Sequence, residues 1–302
     1  MICHNDVKHE TDMQTLETND FDNSKVNPDS MIPLQRSYWD GLSDEYQRIT
    51  RIVLDDFHYG PQIPGESRLG LLPPLHPGMH ALELGCGAAQ NSVYLARQGL
   101  DCTAMDISKE QLRHAEDIAQ RAGVHLRLVE SPLETFREKT EGLYDFVHSS
   151  HALEFVDNPA VVLRDVFAVL APGGCFVLST VHPLYNGDWI VPEEEGTDSD
   201  FAVENENGEE EKGLFLTNYF SPPDDIRYDD EGRAVVVSRA YPVSAWFDWL
   251  RKAGFEVLQL AEPPAVPRGE TPPYTSDAWS EPDGELEAIP GTLIFVARRP
   301  FP

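Results

Sequence analysis

Basic residues are scarce in this chain of 302 residues, which has 23 Lys and Arg against 52 Asp and Glu and a formal net charge of −29 at pH 7. A strongly negative surface repels phosphate backbones and anionic lipid head groups. We therefore expect neither a nucleic acid nor a membrane as a partner. Long apolar runs are also absent, since none approaches the roughly 18 residues that a membrane-spanning helix needs.

Cysteine is rare as well, with only Cys3, Cys86, Cys102 and Cys175. They lack the CxxC or Cys/His spacing of a zinc site, and three of them lie in apolar runs. This pattern predicts reduced core thiols in a cytoplasmic protein, with no bound metal. The amino-terminal residues also lack the apolar stretch after a basic start that is typical of a signal peptide.

The acidic residues are unevenly distributed, which suggests a division of the chain. Residues 1–36 are polar and predict a disordered acidic leader. Residues 186–232 hold 16 acids and 2 bases, with too few apolar residues for a core of their own, and they predict an inserted flap. Apolar residues at helical spacing in 37–58 predict one or two helices, and residues 37–78 as a whole predict an amino-terminal cap. Residues 79–185 and 233–302 would then form and complete one core.

Short apolar strands alternate with helices from residue 79 onward. This alternation predicts a parallel sheet with helices on both faces. Ser108 and Gly123 are suited to cap the two ends of the helix between them. The last two apolar segments, 255–261 and 291–300, predict an antiparallel pair at one edge of the sheet.

A glycine-containing loop follows the first strand of this core, in the sequence Glu83-Leu84-Gly85-Cys86-Gly87. Glycines there let the backbone approach a ligand closely, and the following helix offers free N–H groups. A dinucleotide-binding loop needs a third glycine, where this chain has Gln90. An NAD-dependent oxidoreductase is therefore kept only as an alternative. Asp106 ends the next strand, where a carboxylate can bind both hydroxyls of a ribose.

The run ELGCG, followed by MDIS, YDFVHSS and LAPGG at their separations, resembles the class I S-adenosylmethionine-dependent methyltransferases, most closely the type 11 small-molecule group. The resemblance covers about residues 79–182 and extends more loosely over 239–300. It implies an α/β, Rossmann-like fold with a seven-stranded, mostly parallel sheet and an antiparallel carboxy-terminal edge strand. It also implies S-adenosyl-L-methionine as cofactor and methyl transfer to an O or N atom of a small molecule, such as a secondary metabolite.

The resemblance also assigns residues to the cofactor. It places Glu83 and the glycine loop beside the methionine part, Asp106 on the ribose hydroxyls and Ile107 on the adenine. The segment 130–133 departs from the family pattern beside the adenine. The implied cofactor contacts are Tyr46, Glu83, Gly85, Cys86, Gly87, Asp106, Ile107, Gln111, Ser131, Pro132, Leu133 and Ser149.

Candidate catalytic and substrate residues lie near the carboxyl ends of the predicted strands, where open α/β sheets bind ligands. His151 and His182 are the predicted general bases because a histidine titrates near neutrality. The alternative is that both are loop histidines satisfied by backbone groups. The predicted substrate contacts are Trp39, Tyr185, Trp189 and Tyr219. A non-catalytic cofactor-binding protein, a protein-methylating enzyme and a homodimer remain open.

Overall fold

The computed structural model describes residues 31–186, 188–190, 203–204, 210–211, 213–216, 218–277 and 289–302. For 185–186, 188–190, 203–204, 210–211 and 213–215 it describes the backbone alone. Most of the predicted leader and much of the predicted flap therefore lie outside the described residues. The proposed division of the chain into leader, cap, core and flap stays a prediction.

The described residues form six α-helices and fifteen β-strands. In chain order these are α1 (Met31–Ile49), β1 (Thr50–Ile52), α2 (Glu66–Leu69), β2 (His80–Leu84), α3 (Gln90–Arg97), β3 (Asp101–Asp106), α4 (Lys109–Ala122), β4 (Arg127–Glu130), β5 (Tyr144–Ser150), α5 (Pro159–Val169), β6 (Leu170–Val181), β7 (Asp188–Ile190), β8 (Val203–Glu204), β9 (Glu210–Glu211), β10 (Gly213–Phe215), β11 (Asp225–Tyr228), β12 (Ala234–Ser238), α6 (Val243–Ala253), β13 (Glu256–Ala261), β14 (Tyr274–Ser276) and β15 (Thr292–Arg298).

Seven strands form one sheet in the order β13-β15-β6-β5-β2-β3-β4. Neighbours among β2 to β6 are parallel, whereas β15 runs antiparallel to both β6 and β13. The predicted fold class and the pairing of the last two apolar segments are confirmed. The antiparallel strand lies one place in from the edge, with β13 outside it. The strand order reverses beside β2, which opens a crevice at the carboxyl ends of the strands.

Local sequence signals explain where the helices of the core begin and end. The hydroxyl of Ser108 accepts a hydrogen bond from the backbone N–H of Gln111, and Gly123 ends α4 in the left-handed conformation, with φ at 69°. Asn158 caps α5 in the same way, and Pro159 occupies its first position. The side chains of Ser108 and Asn158 thus satisfy N–H groups that lack a partner within the helix. The predicted caps of α4 are confirmed.

The sheet separates two apolar clusters. Ala81 and Leu82 are successive residues of β2, and each belongs to a different cluster. Side chains alternate between the faces of a strand, so the sheet is covered on both sides, as the alternation of strands and helices predicts. Trp246 of α6 and Phe57 of the segment before α2 are fully buried in the two clusters. None of the described helices is long and apolar enough to span a membrane.

The amino-terminal region differs from its sequence prediction. The helix covers Met31–Ile49, not 37–58, because the next three residues pair antiparallel with β14 as strand β1. On α1, the Gln35 side-chain amide donates to the carbonyl of Val237 at 2.7 Å. This bond attaches α1 to β12, so the helix lies against the carboxyl edge of the core.

Candidate functional site

A cavity with about 1040 Å³ of empty space lies at the carboxyl ends of β2, β3 and β5. Helix α1 closes one side of it. The cavity therefore occupies the crevice where the strand order reverses. Its wall consists of Ile32, Gln35, Trp39, Tyr46, Gln47, Ile52, His58, Glu83, Gly85, Cys86, Gly87, Ala88, Gln90, Asp106, Ile107, Gln111, Leu133, Glu134, Ser150, His151, Ala152, Phe155, Val156 and Tyr274.

The loop after β2 forms one end of this cavity. Gly85 and Gly87 have φ values of +71° and +52°, in the left-handed region that favours glycine. A Cβ atom on Gly85 would lie 2.2 Å from the Cβ of Ala152. The N–H groups of Gly85 and Cys86 both donate to the carbonyl of Met105, at 2.8 and 2.9 Å. The loop is thus tied to β3 and free of side chains where it packs against the segment after β5.

Asp106 stands at the end of β3, in the wall of the cavity. Its Oδ2 accepts a hydrogen bond from the N–H of Gly87, and its Oδ1 accepts one from the N–H of Ser108, both at 2.8 Å. Burial raises the pKa of Asp106 to about 6, although the backbone hydrogen bonds oppose the rise. The group is therefore mainly ionised at pH 7. A carboxylate has about four acceptor positions, and the backbone groups of Gly87, Ser108 and Ile107 interact with this one, so acceptor capacity remains for a ribose hydroxyl.

The carboxyl group of Glu83 lies deeper in the same wall. Its Oε2 accepts hydrogen bonds from the N–H and the hydroxyl of Ser92, at 3.0 and 2.5 Å. Burial raises the pKa of Glu83 to about 8, against the effect of those two bonds. A cationic ligand beside Glu83 would favour its ionised form. The site therefore suits a ligand that carries positive charge.

Replacing Glu83 with glutamine should change how stability depends on pH. The folded state keeps a proton on Glu83 up to about pH 8, whereas an unfolded glutamate loses it near pH 4.5. Between these two pH values, Glu83 should therefore lower the unfolding free energy of the wild type by up to about 1.4 kcal/mol for each pH unit. This decrease stops once the pH exceeds about 8, where Glu83 is ionised in both states.

Urea unfolding between pH 6.5 and 8 isolates this contribution. In the folded state Asp106 is largely ionised in that window and His58 and His148, whose pKa is lowered to about 3, are neutral. Unfolded histidines take up protons near pH 6.5, so the contribution of Glu83 is the difference in slope between the two proteins. The slope of the unfolding free energy against pH should be more positive in Glu83→Gln than in the wild type, by up to about 1.4 kcal/mol per pH unit, because the histidines contribute equally to both proteins. Equal slopes for the two proteins would show that Glu83 is already ionised in the folded state.

Replacing Asp106 with alanine should weaken cofactor binding. Hydrogen bonds to a charged group contribute about 1.5–3 kcal/mol, which corresponds to about a 10- to 150-fold loss of affinity. Calorimetric titration with S-adenosylhomocysteine measures this loss. Asp101→Ala is the matched control, because Asp101 begins the same strand at its exposed end. An unchanged affinity in Asp106→Ala would remove the ribose role from this residue.

His151 lies just beyond β5 and has a left-handed backbone, with φ at 51°. Such a conformation is costly for a residue other than glycine and is enriched at functional sites. Its Nδ1 is 3.2 Å from Oε1 of Glu154, and its Nε2 is 3.2 Å from the hydroxyl oxygen of Thr292. Burial lowers the pKa of His151, and the contact with Glu154 partly opposes this. The ring is therefore neutral at pH 7, as a general base must be.

His182 stands in different surroundings. Its Nε2 is 2.7 Å from Oε1 of Glu262, and its Nδ1 accepts a hydrogen bond from the N–H of Leu184 at 3.2 Å. Both histidines have protein partners at their ring nitrogens, but His182 does not line the cavity, whereas His151 does. The structure brings His151, but not His182, to the cavity wall.

The structure places the other predicted residues as follows. Trp39, Tyr46, Glu83, Gly85, Cys86, Gly87, Asp106, Ile107, Gln111 and Leu133 all line the cavity. Ser131, Pro132, Ser149 and Tyr219 do not. Ser149 is buried and donates its hydroxyl to the carbonyl of Leu84, whereas the hydroxyl of Tyr219 accepts from the N–H of Val243. The side chains of Tyr185 and Trp189 lie outside the described part of the structure.

Several residues of the cavity wall were not predicted from the sequence. His58 precedes α2 in a segment rich in Gly and Pro, where no pattern marks it. The side-chain amide of Asn91 holds its backbone through two hydrogen bonds, at 2.9 and 3.0 Å. Phe155 and Tyr274 reach the wall from distant positions in the chain. Glu154 could have been found, since it lies three residues after His151.

The residues present fit S-adenosylmethionine. Asp106 offers acceptor capacity for a ribose hydroxyl, Glu83 in its ionised form favours positive charge, and the backbone of the Gly85 loop lines the cavity. Among the residues that the structure describes, no group of three or more His, Cys, Asp or Glu is arranged to hold a metal ion.

Comparison with known proteins agrees with this geometry. Residues 58–260 match the family model described as a methyltransferase domain, which is well over half of the chain. The chain belongs to the methyltransferase domain family. The predicted family is thus confirmed, and so is the prediction that S-adenosylmethionine is the cofactor.

Two curated relatives of the methyltransferase chain carry the name ubiquinone biosynthesis O-methyltransferase. The one from Psychrobacter cryohalolentis is 36% identical over 107 residues, which cover 35% of this chain and 42% of the relative. The one from Photorhabdus laumondii is 31% identical over 146 residues, covering 48% and 57%. The alignments thus span only about half of these relatives.

Solved structures show the same fold. An S-adenosylmethionine-dependent methyltransferase from Mesorhizobium loti matches with a TM-score of 0.54 at 23% identity, covering 76% of this chain and 94% of that one. The 1,6-didemethyltoxoflavin-N1-methyltransferase of Burkholderia thailandensis matches with a TM-score of 0.51 at 16% identity, covering 92% and 93%. At these identities the likeness establishes the fold of the methyltransferase chain.

Proposed function

We propose that this protein transfers a methyl group from S-adenosylmethionine to an oxygen or nitrogen atom of a small molecule. The observation that carries the proposal is one continuous cavity that joins the Gly85 loop and Asp106 to an aromatic chamber beside His151. Bound S-adenosylmethionine supplies an activated methyl group on a sulfonium. The protein then has to hold an acceptor in line with that methyl group, which is catalysis by proximity and orientation.

The chamber favours a planar or apolar acceptor. The ring of Trp39 lies edge-on to that of Phe155, with centroids 5.4 Å apart, and edge-on to that of Tyr46 at 5.9 Å. Tyr274 lines the same chamber, and its ring is 5.0 Å from that of His58. Aromatic walls with few polar groups bind rings of similar shape. An oxygen acceptor is favoured because the relatives matched are named O-methyltransferases.

His151 is the proposed general base. With Nδ1 facing Glu154, the inferred tautomer places the proton on Nδ1 and leaves the lone pair on Nε2. Nε2 would accept the proton of an acceptor hydroxyl once the hydroxyl of Thr292, now 3.2 Å away, rotates and releases it. Glu154 would stabilise the imidazolium that forms, because its pKa stays below the usual value: burial raises it, but the contact with His151 outweighs burial.

Other functions have less support. An NAD-dependent oxidoreductase would need space for the pyrophosphate at the third glycine position. Gln90 fills that position, and its side-chain amide donates to Oε1 of Gln47 at 3.2 Å. A protein-methylating enzyme would need an open peptide groove, whereas α1 closes one side of this cavity. A role in secondary metabolism, a cytoplasmic location and a homodimer stay predictions.

Labelled transfer tests the function directly. We expect the protein to move a labelled methyl group from S-adenosylmethionine onto a small molecule in an extract of its source, with O-methylation of an aromatic hydroxyl as the favoured product. Label in the protein fraction instead would indicate a protein substrate. Tight cofactor binding with no labelled product from any extract would favour the non-catalytic alternative.

A further inference from the structure

A second cleft, with about 860 Å³ of empty space, shares Gln47, Ile52 and Gln90 with the wall of the cofactor cavity. It lies between the segment that follows α1 and the helices α3 and α4. We call it the arginine cleft, after Arg51, Arg97 and Arg121, which line it. It takes no part in the methyl-transfer site described above.

The charge of this cleft is opposite to that of the chain. None of its eleven lining residues carries a carboxyl group, although acids outnumber bases 52 to 23 in the sequence. Arg97 donates to the carbonyl of Leu54 at 3.0 Å, and Arg121 donates to the carbonyl of Asp117 at 3.2 Å. Among the described residues, neither guanidinium has a carboxylate partner. Two solvent-exposed positive charges therefore line the cleft without a carboxylate partner among the described residues.

The other two basic residues of the lining, Arg51 and His114, each lie beside a carboxylate. Arg51 makes two hydrogen bonds to Asp277, at 2.8 and 2.6 Å, and Nε2 of His114 is 2.7 Å from Asp44. Neither of these carboxylates lines the cleft. A helix end favours one cation, which accounts for Arg97 in the last turn of α3 and Arg121 in the last turn of α4. It does not account for the absence of every acid from the lining.

The remaining surface of the cleft is apolar or neutral. Ile52, Leu54 and Ile118 are half-buried and present aliphatic surface. The amide of Gln47 bonds to those of Gln90 and Gln111, at 3.2 and 3.1 Å, which fixes the wall shared with the cofactor cavity. The cleft thus combines an apolar floor with two guanidinium groups whose protein partners are backbone carbonyls. Guanidinium groups bind carboxylates and phosphates through paired hydrogen bonds.

We propose that the arginine cleft binds a small acid with an apolar body, through Arg97 and Arg121 on its carboxylate or phosphate and Ile52, Leu54 and Ile118 on the rest. This site does not depend on the identity of the methyl acceptor. A carboxylate and a phosphate present different numbers of oxygens. The probes below distinguish which of the two acid groups the cleft binds.

Calorimetry on the full chain at low salt tests the site with three probes: isophthalate, phenyl phosphate and the neutral diamide isophthalamide. We expect saturable binding of at least one of the two acids and none of the diamide. The acid that binds more tightly shows whether the cleft prefers a carboxylate or a phosphate group. Affinity should fall as salt is raised, because exposed charges are screened.

A double variant locates the binding. Arg97→Gln/Arg121→Gln should lose at least about tenfold in affinity for the acid. The double variant Arg164→Gln/Arg251→Gln changes the net charge equally at exposed positions on α5 and α6, and it should lose less than about twofold because distant surface charges are largely screened. All four arginines are exposed, so both variants should fold and bind S-adenosylhomocysteine as the wild type does.

Three results would overturn the proposal. They are the absence of saturable binding of either acid to the wild type, equal binding of the diamide, and equal losses in the two double variants. If the cleft variant does not fold, competition decides in the wild type: an acid displaced by S-adenosylhomocysteine occupies the cofactor cavity, and the cleft proposal is then wrong.

Discussion

Replacing His151 with asparagine should lower kcat by about 10²- to 10⁴-fold, the usual contribution of a positioned general base. Asparagine is chosen because it tolerates the left-handed backbone that His151 adopts, with φ at 51°. The substitution removes the imidazole, which is 3.2 Å from Glu154, without forcing the chain to refold around it. Initial rates with labelled cofactor and the identified acceptor measure the effect.

Affinity for S-adenosylhomocysteine is the control for His151→Asn. It should stay within about threefold of the wild type, since the ribose and methionine contacts are assigned to Asp106 and Glu83. A second control is acceptor acidity: an acceptor with a more acidic hydroxyl should lose less activity, because it needs less help from a base. Unchanged kcat in His151→Asn together with a large loss in His182→Asn would transfer the base role to His182.

Replacing Gly85 with alanine should destabilise the fold by about 2–5 kcal/mol. The new Cβ would lie 2.2 Å from the Cβ of Ala152, and overpacking of this kind costs about 1–3 kcal/mol. The left-handed backbone at φ +71° adds about 1–2 kcal/mol for a residue with a Cβ atom. Urea unfolding measures the loss, and cofactor affinity should fall with it because the loop must shift.

The variant Gly87→Ala separates the cost of overpacking from the cost of the left-handed backbone. Its φ is +52°, but the nearest atom to an added Cβ is Oε1 of Gln111 at 3.9 Å. This variant should therefore lose only the backbone contribution of about 1–2 kcal/mol. Gly70→Ala, with φ +61° and open space around it, gives the same contribution far from the cavity. Equal destabilisation in all three variants would mean that the packing of Gly85 against Ala152 contributes nothing.

Local patterns made much of the core predictable. Apolar strands, glycine turns and the caps of α4 act within a few residues, and they predict a sheet whose ligand crevice must lie at its carboxyl edge. Gly85 and Asp106 could be assigned to the cavity because Gly85 directly follows β2 and Asp106 is the last residue of β3. Position at a strand end was enough, without knowledge of distant contacts.

Contacts between distant segments were not predictable. β1 pairs with β14, more than 200 residues later, and this pairing ends α1 at Ile49 although the apolar spacing continues. Tyr274 reaches the cavity through the same pairing. His182 directly follows β6, but its ring lies 2.7 Å from Glu262 and does not line the cavity. Whether a strand-end histidine faces the ligand depends on partners that sequence spacing does not reveal.

One titration tests the central claim most directly. Wild-type protein is titrated by calorimetry with S-adenosylhomocysteine and, separately, with NAD, and Asp106→Ala is titrated in parallel. We expect saturable binding of S-adenosylhomocysteine at one site per chain, about 10- to 150-fold weaker in Asp106→Ala, and no binding of NAD. Saturable binding of NAD, or no binding of S-adenosylhomocysteine, would contradict it.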